Sequence, residues 1–237
     1  MKYIILAAGC GTRLHPLTLN CPKCLFSLDE NYSILQRMID NILQYDSKAE
    51  IITVVGFMSD KIKSVITNTK FVDNPFYNVT NSIASLWFCK DYLFEDVTII
   101  NGDIVMEQSL IKDIVIQKYD YPLVLIDSSI KSNGDYNVQV QDENILVMSK
   151  ELQNYYGEYA GITKINRATI SLFKNEIEKM IVDGQYDQWY ETVLVQLIFN
   201  NNLQLKYKDI SQYQWTEVDC VNDLLKAKNI HRKDKIN

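Results

Sequence analysis

Leu6-Ala7-Ala8-Gly9-Cys10-Gly11-Thr12-Arg13-Leu14-His15-Pro16-Leu17-Thr18, continuing to Pro22-Lys23-Cys24-Leu25, follows the apolar, β-rich run Lys2 to Ala7. Such a run reads as a buried parallel strand, and small residues directly after it place a turn at the carboxyl edge of a sheet. Gly9 and Gly11 let the backbone turn tightly and bring N–H groups against an anion with no side chain in the way. Arg13 adds a bidentate fork for phosphate oxygens, and Lys23, held by Pro22, adds a compact second charge. These are the ingredients of a triphosphate cradle. Two better-known glycine loops do not fit. Gly9 to Leu14 begins like G-x-G-x-x-G, but Leu14 stands where the third glycine packs a helix closely, and no Walker pattern is present. An ordinary strand-to-loop turn with surface Arg and Lys would account for two glycines, though poorly for the whole stretch.

Outward from this loop, strand and helix patterns alternate. Helical spacing runs over Ile34 to Leu43 with Ser33 as cap, over Lys61 to Thr67, Ser82 to Leu93, Ser109 to Gln117, Arg167 to Val182 and Gln188 to Phe199, and over a last helix from Asp219 to Asn229. Strands are expected at Ile51 to Val55, Phe71-Val72, Val97 to Asn101, Leu123 to Ile126, Tyr159 to Ile165, Leu203 to Tyr207 and Trp215 to Asp219. Asn137 to Met148 reads as a hairpin or meander turning at Asp142-Glu143-Asn144. The pattern predicts an α/β fold, Rossmann-like and doubly wound, with a mostly parallel mixed sheet and a small β insert. No repeat, low-complexity tract or linker interrupts it, so one domain over 1–237 is expected.

Composition narrows the function. The 237 residues are 47% hydrophobic and 23% charged, with a formal net charge of −6, which disfavours nucleic acid as a partner and favours a small phosphorylated ligand met by local positive charge. No run is long enough for a membrane span or signal peptide. Five cysteines without a disulfide pattern imply a reducing, cytoplasmic setting. Cys21-Pro22-Lys23-Cys24 has C-x-x-C spacing, but no second pair accompanies it and His15 and His231 stand alone, so neither a zinc nor a redox site is expected.

The pattern L-A-A-G-x-G-x-R-L-x-P-L-T-x-x-x-P-K-x-L, matched at every fixed position from Leu6 to Leu25, resembles the signature of the nucleotidyltransferases that make sugar nucleotides and CDP-alcohols. The resemblance implies transfer of a nucleotidyl group with release of pyrophosphate. It implies nucleotide contacts from Leu6, Ala8, Gly9, Gly11, Thr12 and Gly102, with Arg13 and Lys23 as catalytic residues. Asp103, at the end of an apolar strand, and the distant Asp219 would hold Mg2+, and Glu217 has a weaker claim to join them. As alternatives, Asp103 would be a turn residue and Asp219 the cap of the last helix.

Asn74 to Leu86 resembles the base-reading loop of the CDP-alcohol subgroup, with Thr80, Asn81 and Ser82 as candidates. That subgroup includes enzymes for phosphocholine, aminoethylphosphonate and phosphoglutamine, the last used in capsule modification. An Asn/Ser-rich helix cap is the rival reading. The aromatic pair Trp189-Tyr190 beside Glu191 is a candidate to hold an ammonium group of the acceptor, with core packing as rival, and Lys131, Lys150 and Trp215 are further acceptor-side candidates. The expected reaction takes CTP and a small phosphorylated acceptor, in a monomer or homodimer. A sugar-1-phosphate nucleotidyltransferase and a non-catalytic nucleotide sensor are the alternatives.

Overall fold

The computed structural model describes residues 1–131 and 136–236. Its strands are β1 (Lys2–Ala7), β2 (Glu50–Val55), β3 (Lys70–Asp73), β4 (Val97–Asn101), β5 (Ile104–Met106), β6 (Leu123–Asp127), β7 (Asn137–Gln141), β8 (Asn144–Ser149), β9 (Gly157–Ile165), β10 (Lys206–Asp209) and β11 (Trp215–Glu217). Its helices are α1 (Ile34–Tyr45), α2 (Ser59–Val65), α3 (Ser82–Phe88), α4 (Gln108–Leu110), α5 (Ile170–Val182), α6 (Glu191–Asn201) and α7 (Val221–Asp234). The chain forms two compact units. The first comprises Met1–Val79, Ile100–Gln117 and Tyr213–Asn237, and the second Thr80–Ile99 and Lys118–Gln212.

In the first unit β1 lies parallel to β2, and β2 parallel to β3, with Leu6 opposite Val54 and Val54 opposite Val72. Tyr3, Ile4, Ile5, Ile52 and Val54 are fully buried, as strands covered on both faces require. Ser33 caps α1 by accepting from the Gln36 N–H at 3.3 Å, and Ile34, Leu35, Met38, Ile39 and Ile42 form its buried face. β5 and β11 pair antiparallel, with Glu217 opposite Ile104. β11 lies within the strand expected at Trp215 to Asp219, whereas β5 was not expected, because a three-residue strand carries almost no periodic signal.

The second unit holds the mixed, largely antiparallel part. Its strands run in the order β9-β6-β10-β8-β7, and β7 also pairs with β9. β6 is antiparallel to β9 and parallel to β10, and β7 and β8 form the expected hairpin, with Asp142 at φ +55° in its turn. α5 and α6 bury Phe173, Ile177, Val193, Leu194 and Leu197.

Three elements depart from expectation. The helix expected over Ser109 to Gln117 is a single turn, α4, opening into a π-helical turn at Ile111–Val115. The β-branched Ile111, Ile114, Val115 and Ile116 crowd a regular helix there. The helix expected over Ser82 to Leu93 ends at Phe88, where the chain tightens into a separate turn at Lys90–Tyr92. The strand expected from Leu203 begins only at Lys206. Asn202, at φ +52°, ends α6, and the Leu203 N–H returns to the Leu197 carbonyl at 3.1 Å.

Candidate active site

The glycine loop leaves β1 at Ala8, whose carbonyl accepts from the Phe57 N–H at 3.0 Å. Gly11 sits in the left-handed region (φ +63°), where a Cβ would also meet Thr18 Cγ2 at 3.1 Å. Its carbonyl accepts from Thr18 Oγ1 at 2.8 Å and from the Leu14 N–H at 3.0 Å, which closes the turn Thr12–Leu14. Leu14 is buried by that turn, and the neighbouring Arg13 is exposed. A second turn, Lys23–Leu25, is closed by the Leu25 N–H on the Pro22 carbonyl at 2.9 Å. It leaves the Lys23 side chain only 14% exposed.

Gly102 donates to the Leu6 carbonyl at 2.8 Å, and a Cβ there would lie 2.8 Å from that oxygen and 2.9 Å from Ala7 Cβ. Only glycine permits this approach, and it fixes Asp103 beside the end of β1. Asp219 arrives from the other end of the sequence through β11, where the Val218 N–H bonds the Asp103 carbonyl at 3.1 Å. The cap of α7 is Cys220, braced by Asp223, whose Oδ2 accepts from the N–H groups of Asp219 (3.0 Å) and Cys220 (2.8 Å). The Asp219 carboxylate is therefore not used as a helix cap.

Lys23 Nζ lies 2.5 Å from Asp103 Oδ2 and 2.7 Å from Asp219 Oδ1, and an Arg13 guanidinium nitrogen lies 2.8 Å from Asp219 Oδ2. Burial alone would lower the Lys23 pKa, but the charges and hydrogen bonds of Asp103 and Asp219 outweigh it and raise the pKa, so the ammonium stays charged. The first unit thus gathers Arg13, Lys23, Asp103 and Asp219 from three distant stretches of sequence. Glu217 joins them: one carboxylate oxygen each from Asp103, Glu217 and Asp219 lies within 4.8 Å of the others. Asp103 Oδ1 is buried without a hydrogen-bond partner among the described residues. An all-oxygen set with a buried unpartnered oxygen fits a hard divalent cation. Nearby Cys24 is buried, and burial first, then the Asp103 charge, pushes its thiol up to about 12; all five cysteines are free. That environment suppresses a thiolate, against a redox role for the C-x-x-C spacing. Trp215 is buried in β11, opposite Met106.

The second unit holds the remaining candidates. Asn81 caps α3, its Oδ1 accepting from the Ser82 N–H at 2.8 Å, and its own N–H bonds the Tyr186 carbonyl at 3.0 Å. Ser82 Oγ accepts from the Tyr190 N–H at 2.9 Å. Both residues therefore tie α3 to the segment carrying Trp189, and Thr80, half-buried, opens this unit. Trp189 stacks on Tyr136 (centroids 5.7 Å apart, planes at 19°), and Lys150 Nζ lies 3.2 Å from the Trp189 ring centroid. Glu191 is 3% exposed, and its Oε2 has no hydrogen-bond partner among the described residues. Burial raises its pKa to about 7, partly opposed by Lys150. Lys131 lies apart from this group, donating to the Tyr156 carbonyl at 2.6 Å and resting 5.1 Å from that ring. Tyr136 was missed from sequence, since a tyrosine just before a strand has no distinguishing local pattern.

The nucleotidyl transferase family matches residues 2–120, and the chain belongs to that family. Among similar proteins, CTP:phosphoglutamine cytidylyltransferase of Campylobacter jejuni subsp. jejuni is 26% identical, over 94% of this chain and 98% of that protein. Bifunctional protein GlmU of Methanocaldococcus jannaschii is 29% identical over the whole of this chain but 55% of its own length. The fold is shared with the solved CTP:phosphocholine cytidylyltransferase from Streptococcus pneumoniae, with TM-score 0.78, 21% identity, and coverage of 97% and 98% of the two chains.

Proposed function

We propose that this chain is a Mg2+-dependent cytidylyltransferase, moving CMP from CTP onto the phosphate or phosphonate of a small metabolite and releasing pyrophosphate. The observation that carries the reading is the convergence of Arg13 and Lys23 with Asp103 and Asp219. CTP as donor, in preference to a sugar-nucleotide reaction, is supported by a cytidylyltransferase relative matching nearly end to end on both chains. Residues 1–237 act as one nucleotidyltransferase domain, as a monomer or homodimer. They work in the cytoplasm, with no nucleic acid or membrane as partner; no helix among the described residues is long and apolar enough to cross one.

An acceptor oxygen attacks the α-phosphorus in line, and the bond to the bridging oxygen of pyrophosphate breaks. A phosphate monoester, with second pKa about 6, is already largely ionised at neutral pH, so no general base is required. The chain supplies position and charge. Backbone N–H groups of the Gly9–Thr12 turn face the phosphates, Arg13 forks their oxygens, and Lys23 takes up negative charge on the leaving side. Asp103 and Asp219, with Glu217 beside them, would hold the Mg2+, which would supply charge neutralisation at the phosphates. In this reading Thr80, Asn81 and Ser82 serve the base, and Trp189, Glu191, Trp215 and Lys131 serve the acceptor.

The test is pyrophosphate release from each NTP against phosphocholine, phosphoglutamine, aminoethylphosphonate and sugar-1-phosphates. CTP with a non-sugar acceptor is the expected productive pair, and preference for a sugar-1-phosphate would replace this reading with its rival. Lys23→Ala lowers turnover by about a hundredfold or more, and near wild-type turnover in that variant would remove Lys23 from the reaction.

A further inference from the structure

Trp189, Tyr136, Lys150 and Glu191 make a seat whose chemistry differs from the one the sequence alone suggests. An aromatic ring beside a carboxylate suggests a place for a ligand's ammonium. Here the position over the Trp189 ring is taken by the chain's own ammonium, Lys150 Nζ, at 3.2 Å from the centroid. The same lysine also faces the Glu191 charge. A second cation entering would meet a like charge over the ring. Glu191 Oε2 is buried and, among the described residues, lacks a donor. Neighbouring hydroxyls are committed elsewhere: Tyr159 and Tyr190 bond each other and Thr163, and Tyr136 bonds the Thr192 side chain. A buried acceptor left without a donor is costly, so the natural ligand brings one. A quaternary ammonium has no N–H to give. A carboxamide or hydroxyl gives its N–H or O–H to Glu191 Oε2 and turns its own oxygen towards the Lys150 ammonium.

We propose that this seat binds the far end of the acceptor, that this end is an uncharged carboxamide or hydroxyl, and that Lys150 is the specificity determinant that turns quaternary ammonium away. The inference rests on the proposed transfer reaction for its place in catalysis, but the seat itself is read by binding. Four phosphomonoesters on one two-carbon backbone serve as probes: phosphocholine, phosphoethanolamine, 2-hydroxyethyl phosphate and 2-phosphoglycolamide. Each is titrated calorimetrically into the full chain and assayed for pyrophosphate release with CTP and Mg2+. The wild type is expected to favour the two uncharged esters over phosphocholine by about tenfold or more in both readouts, the equivalent of about 1.4 kcal/mol. Lys150→Met is expected to narrow or invert that ratio, Lys150→Arg to restore it, and Glu191→Gln to weaken the uncharged esters selectively.

Wild-type preference for phosphocholine overturns the proposal, as does an unchanged ratio in Lys150→Met or failure of all four esters to bind. Because the wild-type order is informative alone, a poorly folding variant does not stall the test. The expected binding order without pyrophosphate from any ester removes the transfer reaction and keeps the seat. Pyrophosphate release with phosphocholine favoured keeps the reaction and removes the seat.

Discussion

Glu191 couples burial to solution behaviour at the scale of one carboxyl. Its folded pKa, about 7, lies above the ordinary value of 4.5, so between those pH values the folded chain holds a proton that the unfolded chain has released. Its favourable contribution is complete below about pH 4.5 and is lost as pH rises through about 7. Glu191→Gln is therefore expected to flatten the stability profile between pH 5 and 8 and to gain roughly 1–3 kcal/mol at pH 8, measured by urea unfolding across that range. An unchanged profile would mean that the carboxyl is ionised in the fold without cost. The site residues differ in how far local sequence reveals them. Arg13, Lys23 and Gly11 sit at fixed offsets in one loop and declare their chemistry by spacing. Asp103 and Asp219 gain meaning only through the resemblance, Tyr136 only through folding, and Lys150, an acceptor-side candidate from sequence, gains its place over Trp189 only through folding.

Helices α1 and α7 are clasped by a polar group outside the candidate site. Arg37, 4% exposed, donates to the Met106 carbonyl at 3.0 Å and to His231 Nδ1 at 3.2 Å, and pairs with Asp234. Because Nδ1 accepts from the guanidinium, the His231 proton lies on Nε2, which faces Asp29 Oδ2 at 2.7 Å. Removing the cation strands several buried partners. Arg37→Met is expected to cost about 3 kcal/mol, and Arg37→Lys to recover only part, since one ammonium cannot span three acceptors. Urea unfolding of the two variants is the check, and a loss within experimental error for Arg37→Met would show the clasp to be ornamental to stability. At this scale α1, α5 and β1 were plain from periodicity and caps. The π-helical turn after α4 and the delayed start of β10 were not, because both depend on crowding and on a left-handed residue rather than on period.

For the whole molecule, a net charge of −6 leaves the proposed phosphate binding to the local Arg13 and Lys23 cluster. CTP with Mg2+ is expected to stabilise the fold by about 2.7 kcal/mol at a hundredfold excess over Kd, seen as a rise in Tm, and chelation of the metal to abolish most of that rise. Equal stabilisation by CTP with chelator would contradict the metal assignment for Asp103 and Asp219. By itself the sequence determined the α/β class, the glycine turn after β1 and the family, because strand periodicity, glycine placement and fixed motif spacing are local properties. Only the tertiary structure decided that the chain weaves twice between two compact units, that Asp219 is relieved of capping by Cys220 and Asp223, and that Lys150 rests on Trp189 above a buried carboxyl. Those facts depend on which distant side chains share a volume, and spacing along one chain does not encode that.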